Sequence, residues 1–240
     1  MNKNIGTNIG VVGLGAMGRG MAASLRRAGW NVHVCDVRLE AAQAFAVDGG
    51  VACASPAELA THCEVIVSVV VNAAQTDTVL FGDGGAAAAM QPGSLFIMCS
   101  TVDPNVSVQF EQRLAALGLL YLDAPISGGA AKAASGEMTM MTSGTPAAYA
   151  KAGSALEAMA AKVYRLGDQA GNGSKVKIIN QLLAGVHIAA AAEAMALGLR
   201  EGVKAEDIYE VITHSAGNSW MFENRMAHVL AADYTPLSAV

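Results

Sequence analysis

Short apolar runs recur through the first two thirds of the chain, and each gives way to glycine or polar residues and then to a helical period. Residues 8–12, 31–35, 64–71, 94–99, 119–123, 137–143 and 162–166 read as strands, because they are brief, β-branched or Met-rich, and bounded by turn residues. Between them, residues 18–28, 39–48, 56–62, 105–117 and 146–160 carry helical periodicity, and Pro56 sits where proline suits a first turn. Residues 83–92 read as a Gly/Ala-rich surface segment. Strands alternating with helices predict an α/β domain with a parallel, doubly wound sheet. After Gly167 the pattern changes. Residues 175–200, 205–214 and 219–231 are all helical, so the chain divides into a sheet domain at 1–168 and an all-α domain at 169–240, joined by a long helix. Ser174 is placed to cap that helix through its hydroxyl. The apolar stretch 182–199 contains His187 and Glu193 and reads as a buried core helix rather than a membrane span.

Candidate chemistry gathers where strands end. The first strand runs directly into Gly13-Leu14-Gly15-Ala16-Met17-Gly18, a helix follows, and the second strand ends at Asp36. This is the full strand–GxGxxG–helix–strand–acid unit of a Rossmann-type domain. The first glycine permits a tight turn, the second lets backbone approach a pyrophosphate, and the third lets helix pack on strand. Asp36 can accept from both ribose hydroxyls and repels a 2′-phosphate, which points to NAD; Arg38 could hold such a phosphate and keeps NADP open. Val71, Asn72 and Thr101 lie at later strand ends, where such sheets bind ligands. Ser127, Gly128 and Gly129 offer a hydroxyl and two unshielded amides, suited to a carboxylate, although a loop needing positive φ would use the same glycines.

In the long helix Lys177 and Asn180 fall three apart on one face near the N-terminus, while Lys175 points elsewhere. An ammonium is disfavoured there by the helix dipole, so a lowered pKa is expected; a solvated lysine is the plainer alternative.

The remaining composition mainly excludes. The 240 residues carry a net charge of −5 and 5% aromatics, with no dense basic run, which argues against a nucleic-acid surface. At 53% hydrophobic the chain can bury a large core. Cys35, Cys53, Cys63 and Cys99 lack ligand spacing and read as buried thiols of a reducing cytoplasm. The start, MNKNIGTNIG, lacks the apolar core of a signal peptide. His33, His62, His187, His214 and His228 show no ligand or relay spacing, so no metal is expected.

Taken together, GLGAMG at 13–18, DAPISGG at 123–129 and GNGSKVKIIN at 171–180, in this domain order, resemble the β-hydroxyacid dehydrogenase family, relatives of 3-hydroxyisobutyrate and 6-phosphogluconate dehydrogenases. The blocks VVVNAAQ, QLLAGVHIAAAAEAMAL and AGNSWMFENRM with DYTP resemble its threonate-oxidising branch. The resemblance implies NAD-dependent oxidation of a hydroxyl on a small sugar acid. It places the catalytic lysine at Lys177 and a substrate-binding asparagine at Asn180. It assigns the substrate carboxylate to Ser127, Gly128 and Gly129, and a nicotinamide-side contact to Thr101. Asn218, Asn224, Trp220 and Phe222 are further candidates for the pocket, or else surface amides and core aromatics. A small carboxylate substrate and a homo-oligomer are the implied partners, with no nucleic acid and no membrane. Family members continue into helices bearing a Lys-Asp-Leu motif, and this chain stops at Val240 before it, so part of the pocket wall is expected to be missing. An NADPH-dependent semialdehyde reductase and a non-catalytic dinucleotide-binding protein are the alternatives; the second gives no reason for Lys177, Asn180 and Ser127 to occur together.

Overall fold

The structure is a computed structural model and describes residues 6–235; the start of the chain and the residues from Pro236 onward, which include the end of the DYTP block, lie outside that range. Six strands form the parallel part of the sheet. They are β1 (Asn8–Val12), β2 (Asn31–Cys35), β3 (Val51–Ala52), β4 (Val65–Ser68), β5 (Leu95–Met98) and β6 (Leu120–Asp123), in spatial order β3-β2-β1-β4-β5-β6. Winding reverses between β1 and β4, the point at which such sheets open a crevice. β4 and β5 are buried along their whole length, as continuous apolar runs predict. Alternation along β5 splits the core. Leu95 and Ile97 join Ile9, Val11, Met21 and Leu25 on one face, while Phe96 and Met98 join Leu59, Leu80, Phe110 and Leu114 on the other.

The helices of this part are α1 (Gly18–Arg27), α2 (Leu39–Val47), α3 (Pro56–His62), α4 (Ala73–Phe81), α5 (Pro104–Ala115), α6 (Gly129–Ser135) and α7 (Pro146–Met159). The sheet is not wholly parallel, which corrects the expectation. β8 (Met138–Gly144) runs antiparallel to β6 and to the short β7 (Ile126–Ser127), and only β9 (Ala160–Arg165) lies parallel to it. β8 returns to β6 through the tight β7–α6 connection instead of a full crossover, and that reverses its direction. Residues 83–92 are not a surface segment either. The amides of Ala86 and Ala87 bond the carbonyls of Val79 and Leu80, which folds Ala86, Ala87 and Met90 into the core.

Residue contacts divide the chain into two compact units, one ending at Lys177 and the other beginning at Ile178. The second unit holds most of α8 (Asn172–Arg200) with α9 (Ala205–Thr213) and α10 (Trp220–Leu230). Its core is small: Ala191, Met195, Phe222 and Met226, with Ile208, Tyr209 and Ile212 packed against them. Within this unit the stretch 182–199 is only partly covered. Leu182, Leu183, Val186, Leu197 and Leu199 are each more than half exposed, because only α9 and α10 cover α8 within the unit, and on one stripe.

Candidate active site

The glycines of the loop differ in their surroundings. Gly13 has φ 92°, and a Cβ there would lie 2.6 Å from the Val69 carbonyl oxygen. A Cβ on Gly18 would overlap the Gly13 oxygen at 1.8 Å, so this glycine seats α1 against β1. Gly15 faces open space, with nothing within 4 Å of a built Cβ, where backbone can approach a ligand. The backbone amides of Gly15, Ala16 and Met17 have no acceptor among the described residues, and the first turn of α1 carries no acid. The loop is thus a cradle of unsatisfied donors at a helix N-terminus, which fits the pyrophosphate of a dinucleotide. Asp36 braces it. One carboxylate oxygen accepts from the Leu14 amide at 2.6 Å, and the other accepts from the Arg38 amide at 2.9 Å and lies 3.5 Å from the Arg38 guanidinium.

At the neighbouring strand ends the side chains divide by task. Asn72 caps α4 by accepting from the Gln75 amide, and Gln75 accepts from the Val71 amide in return. Ser100, which sequence reasoning passed over, donates to the Val70 carbonyl and shares a hydrogen bond with Thr76, tying the end of β5 to the start of α4. Thr101, next along, is exposed, and its hydroxyl has no partner among the described residues. The Ser127 hydroxyl is likewise free on a half-buried residue. Gly128 and Gly129 take φ of 141° and 79°, the positive φ that a glycine loop serves; Gly128 caps the short α6 and Gly129 opens it.

The first turn of α8 departs from the expectation. Ser174 is not its cap. The helix starts at Asn172, and the Ser174 hydroxyl donates to Asp123 at 2.7 Å instead of accepting from backbone. Asp123, at the end of β6, was missed as a functional residue; its only signal was its place in the DAPISGG block. A Cβ on Gly173 would come within 2.4 Å of the Met141 oxygen, which gives the second glycine of Gly171-Asn172-Gly173 its reason. One turn further, Lys177 is 7% exposed and has no hydrogen-bond or ion-pair partner among the described residues. Burial holds its pKa below the usual lysine value. Lys175, as expected, is on another face: it is exposed and donates to Asn172.

Asn180 belongs to the second unit, where its amide donates to Gln181 at 3.3 Å. In the same unit Phe222 is core, stacked on Tyr209, and Trp220 is exposed. The Asn218 amide donates to the Thr213 carbonyl and to Glu223, while Asn224 is half-buried. All four cysteines are buried free thiols, pushed up to about 11 for Cys35 and Cys53 and about 12 for Cys63 and Cys99, chiefly by burial. No group of three metal-ligating side chains occurs among the described residues.

A doubly wound sheet with an open glycine cradle at its switch point, an acid at the end of β2 and a buried lysine without a partner among the described residues is the arrangement of a nicotinamide-dinucleotide-dependent dehydrogenase. Comparison with known proteins agrees. The family pattern of the NAD binding domain of 6-phosphogluconate dehydrogenase matches residues 8–167, and that of the NAD-binding of NADP-dependent 3-hydroxyisobutyrate dehydrogenase matches 171–240. The chain belongs to the β-hydroxyacid dehydrogenase family, in its 3-hydroxyisobutyrate dehydrogenase-like group. L-threonate dehydrogenase of Cupriavidus necator is 69% identical over 233 residues, covering 97% of this chain and 78% of that protein. L-threonate dehydrogenase of Escherichia coli K12 is 49% identical over 97% of this chain and 78% of that protein. A crystal structure described as 3-hydroxyisobutyrate dehydrogenase from Salmonella typhimurium superposes with a TM-score of 0.91 at 51% identity, covering 97% of this chain and 81% of that one.

Proposed function

We propose that this protein oxidises L-threonate to its 2-oxo acid with NAD as the acceptor. The observation that carries the reading is Lys177, a buried amine with no internal partner and a lowered pKa. No structural purpose explains an unpaired buried lysine, whereas a general base works best when its pKa approaches the working pH. The sugar-acid substrate follows from the threonate dehydrogenases to which nearly the whole chain is similar.

In this reading the loop 13–18 holds the pyrophosphate on its free amides, and Asp36 accepts from the adenosine ribose. Arg38 is drawn back onto Asp36, which favours NAD, since a 2′-phosphate would have to displace that pair. Val71, Asn72 and Thr101 line the nicotinamide side. Ser127 and the Gly128 and Gly129 amides take the substrate carboxylate. When bound, the nicotinamide supplies the acceptor for the hydride that leaves the carbinol carbon. Lys177 in its free-amine form takes the hydroxyl proton, and Asn180 is assigned by the family motif to hold the same hydroxyl.

The exposed apolar side chains of α8 support a homo-oligomer in which a second copy of the chain covers them, and the four free thiols suit a reducing cytoplasm. Light scattering reads this directly, and a monomer at all concentrations overturns it. The catalytic reading is tested by measuring kcat/KM for L-threonate, D-threonate, the erythronates and 3-hydroxyisobutyrate with NAD and with NADP. L-Threonate with NAD is expected to lead. A lead for 3-hydroxyisobutyrate overturns the substrate, and a lead for NADP overturns the cofactor.

A further inference from the structure

The carboxylate of Asp123 is fully buried, and every group around it donates. One oxygen accepts from the Gly171 amide at 3.0 Å, the Ser174 amide at 2.9 Å and the Ser143 hydroxyl at 3.1 Å; the other accepts from the Ser174 hydroxyl at 2.7 Å. Ser143 in turn accepts from the Gly173 amide at 2.9 Å. One acid, directly and through one serine, thereby satisfies three amides of the opening turn of α8. Two amides and two hydroxyls thus converge on the carboxylate, a set of donors that matches its acceptor oxygens.

We infer that Asp123 is a positioning residue for Lys177: its carboxylate fixes the orientation of the first turn of α8, up to Lys177, and places a negative charge at that helix end. The inference rests on Lys177 being the base. Ser174 and Lys177 are three residues apart and share a helix face, so holding Ser174 by backbone and hydroxyl sets the direction in which Lys177 leaves the helix. The hold is stiff. Asp123 is paired with Met98 on one side and Ser143 on the other, and Gly173 is seated so closely that a Cβ would also fall 3.1 Å from Asp123. The charge matters as well. A bare helix N-terminus repels an ammonium, and an anion at that end works against the repulsion. Burial lowers the pKa of Lys177. The titratable groups whose shifts include the Asp123 charge are Glu111 on α5, Tyr121 on β6, Cys99 after β5 and Tyr149 on α7. All four are pushed up, chiefly by burial. The phenols and the thiol stay neutral at working pH, and Glu111 is turned to the Ala170 amide.

Asp123→Asn separates charge from geometry. The amide oxygen can take the three donors at one position, and the amide nitrogen can donate to Ser174, whose hydroxyl turns to accept. Asp123→Ala removes both. Three readouts are taken: kcat and KM separately, the pH profile of kcat/KM, and the pH dependence of Lys177 acylation by trace acetic anhydride in the substrate-free protein, read by mass spectrometry. Asp123→Ala is expected to lower kcat about 10–100-fold through misplacement of the base, with KM for the dinucleotide within about twofold. Asp123→Asn is expected to keep kcat within about threefold while the acid limb and the labelling midpoint both move down by about half a pH unit. If the Ala variant does not fold, Ser174→Ala, which removes one of the four bonds, replaces it, with an expected fall of about 3–10-fold. Wild-type kcat and an unmoved labelling midpoint in Asp123→Asn and Ser174→Ala overturn the inference, as does a loss of melting temperature with the midpoint unmoved. Near-normal turnover by Lys177→Ala would instead remove the base assignment. The labelling midpoint, which needs no turnover, still reports what Asp123 does to the amine.

Discussion

The first turns of α1 and α8, both within the sheet unit, are finished in opposite ways. That of α1 follows three amides without acceptors, has no acid, and has open space over Gly15. That of α8 is filled by the chain itself: the Asp123 carboxylate and Ser143 take up the amides of Gly171, Gly173 and Ser174. A helix N-terminus attracts negative charge. Where the protein leaves it bare, the charge must come from a ligand, and the phosphates of a dinucleotide supply it. Where the protein provides its own anion, the end is neutralised and can carry a lysine close by. One physical feature thus serves as a binding site in one place and as a mount for a base in the other.

The sharpest way to break this comparison is at the mounted group. Lys177→Ala is expected to lower kcat by about 10²–10⁴-fold, the range for removing a general base, with dinucleotide binding retained in calorimetry. Near-normal turnover would sink the assignment. The next test makes the first turn resemble the second. Gly15→Asp puts a carboxylate into the bare loop before α1, and the open space over Gly15 admits the side chain, so the melting temperature is expected to change little. The dinucleotide Kd is expected to rise about 100-fold, as like charge meets the phosphates in a partly buried site. An unchanged Kd would show that the pyrophosphate does not use this turn.

The two turns also differ in how far the sequence discloses them. The α1 turn is written within adjacent residues: strand, glycines, helix and acid follow one another, and each glycine has the steric reason that spacing assigned to it. The α8 turn is assembled from three distant places, β6, β8 and the loop after β9, so no local pattern announces it. Ser174 looked like a cap because a serine before a helical period usually accepts from backbone. The tertiary presence of Asp123 reversed its role to donor. The antiparallel β8, which brings Ser143 opposite Asp123, was invisible for the same reason, since periodicity gives a strand but not its direction. The apolar body of α8 is a different case. Periodicity reports that a surface wants cover, not that the same chain provides it.

A smaller effect is expected at the edge of the bare turn. Asp36 accepts from the Leu14 amide and holds back Arg38, so Asp36→Ala removes the ribose acceptor and frees the guanidinium together. NAD efficiency is expected to fall about tenfold, the size of one charge-assisted hydrogen bond, with NADP use rising. Titration of both dinucleotides checks it, and an unchanged preference counts against Asp36 as the ribose ligand.

The smallest effect tests whether the mount at α8 carries a stability penalty, and its sign can be fixed in advance. The pKa of Lys177 is lowered in the folded chain, against about 10.4 when unfolded. Below the folded value both states carry the proton, and the full penalty of burying an unpartnered ammonium is present. As pH rises through the folded pKa and past the unfolded one, both states become neutral and the penalty vanishes. Lys177→Met keeps the length and apolar stem while removing the charge. At pH 7 it is expected to gain about 1 kcal/mol, or roughly 2–4 °C in Tm for a chain of this size, while losing turnover. The gain should fade above about pH 10. A variant less stable than its parent at pH 7 would mean that the amine is held by a partner in solution, and the contrast between the two turns would then lose its positive member.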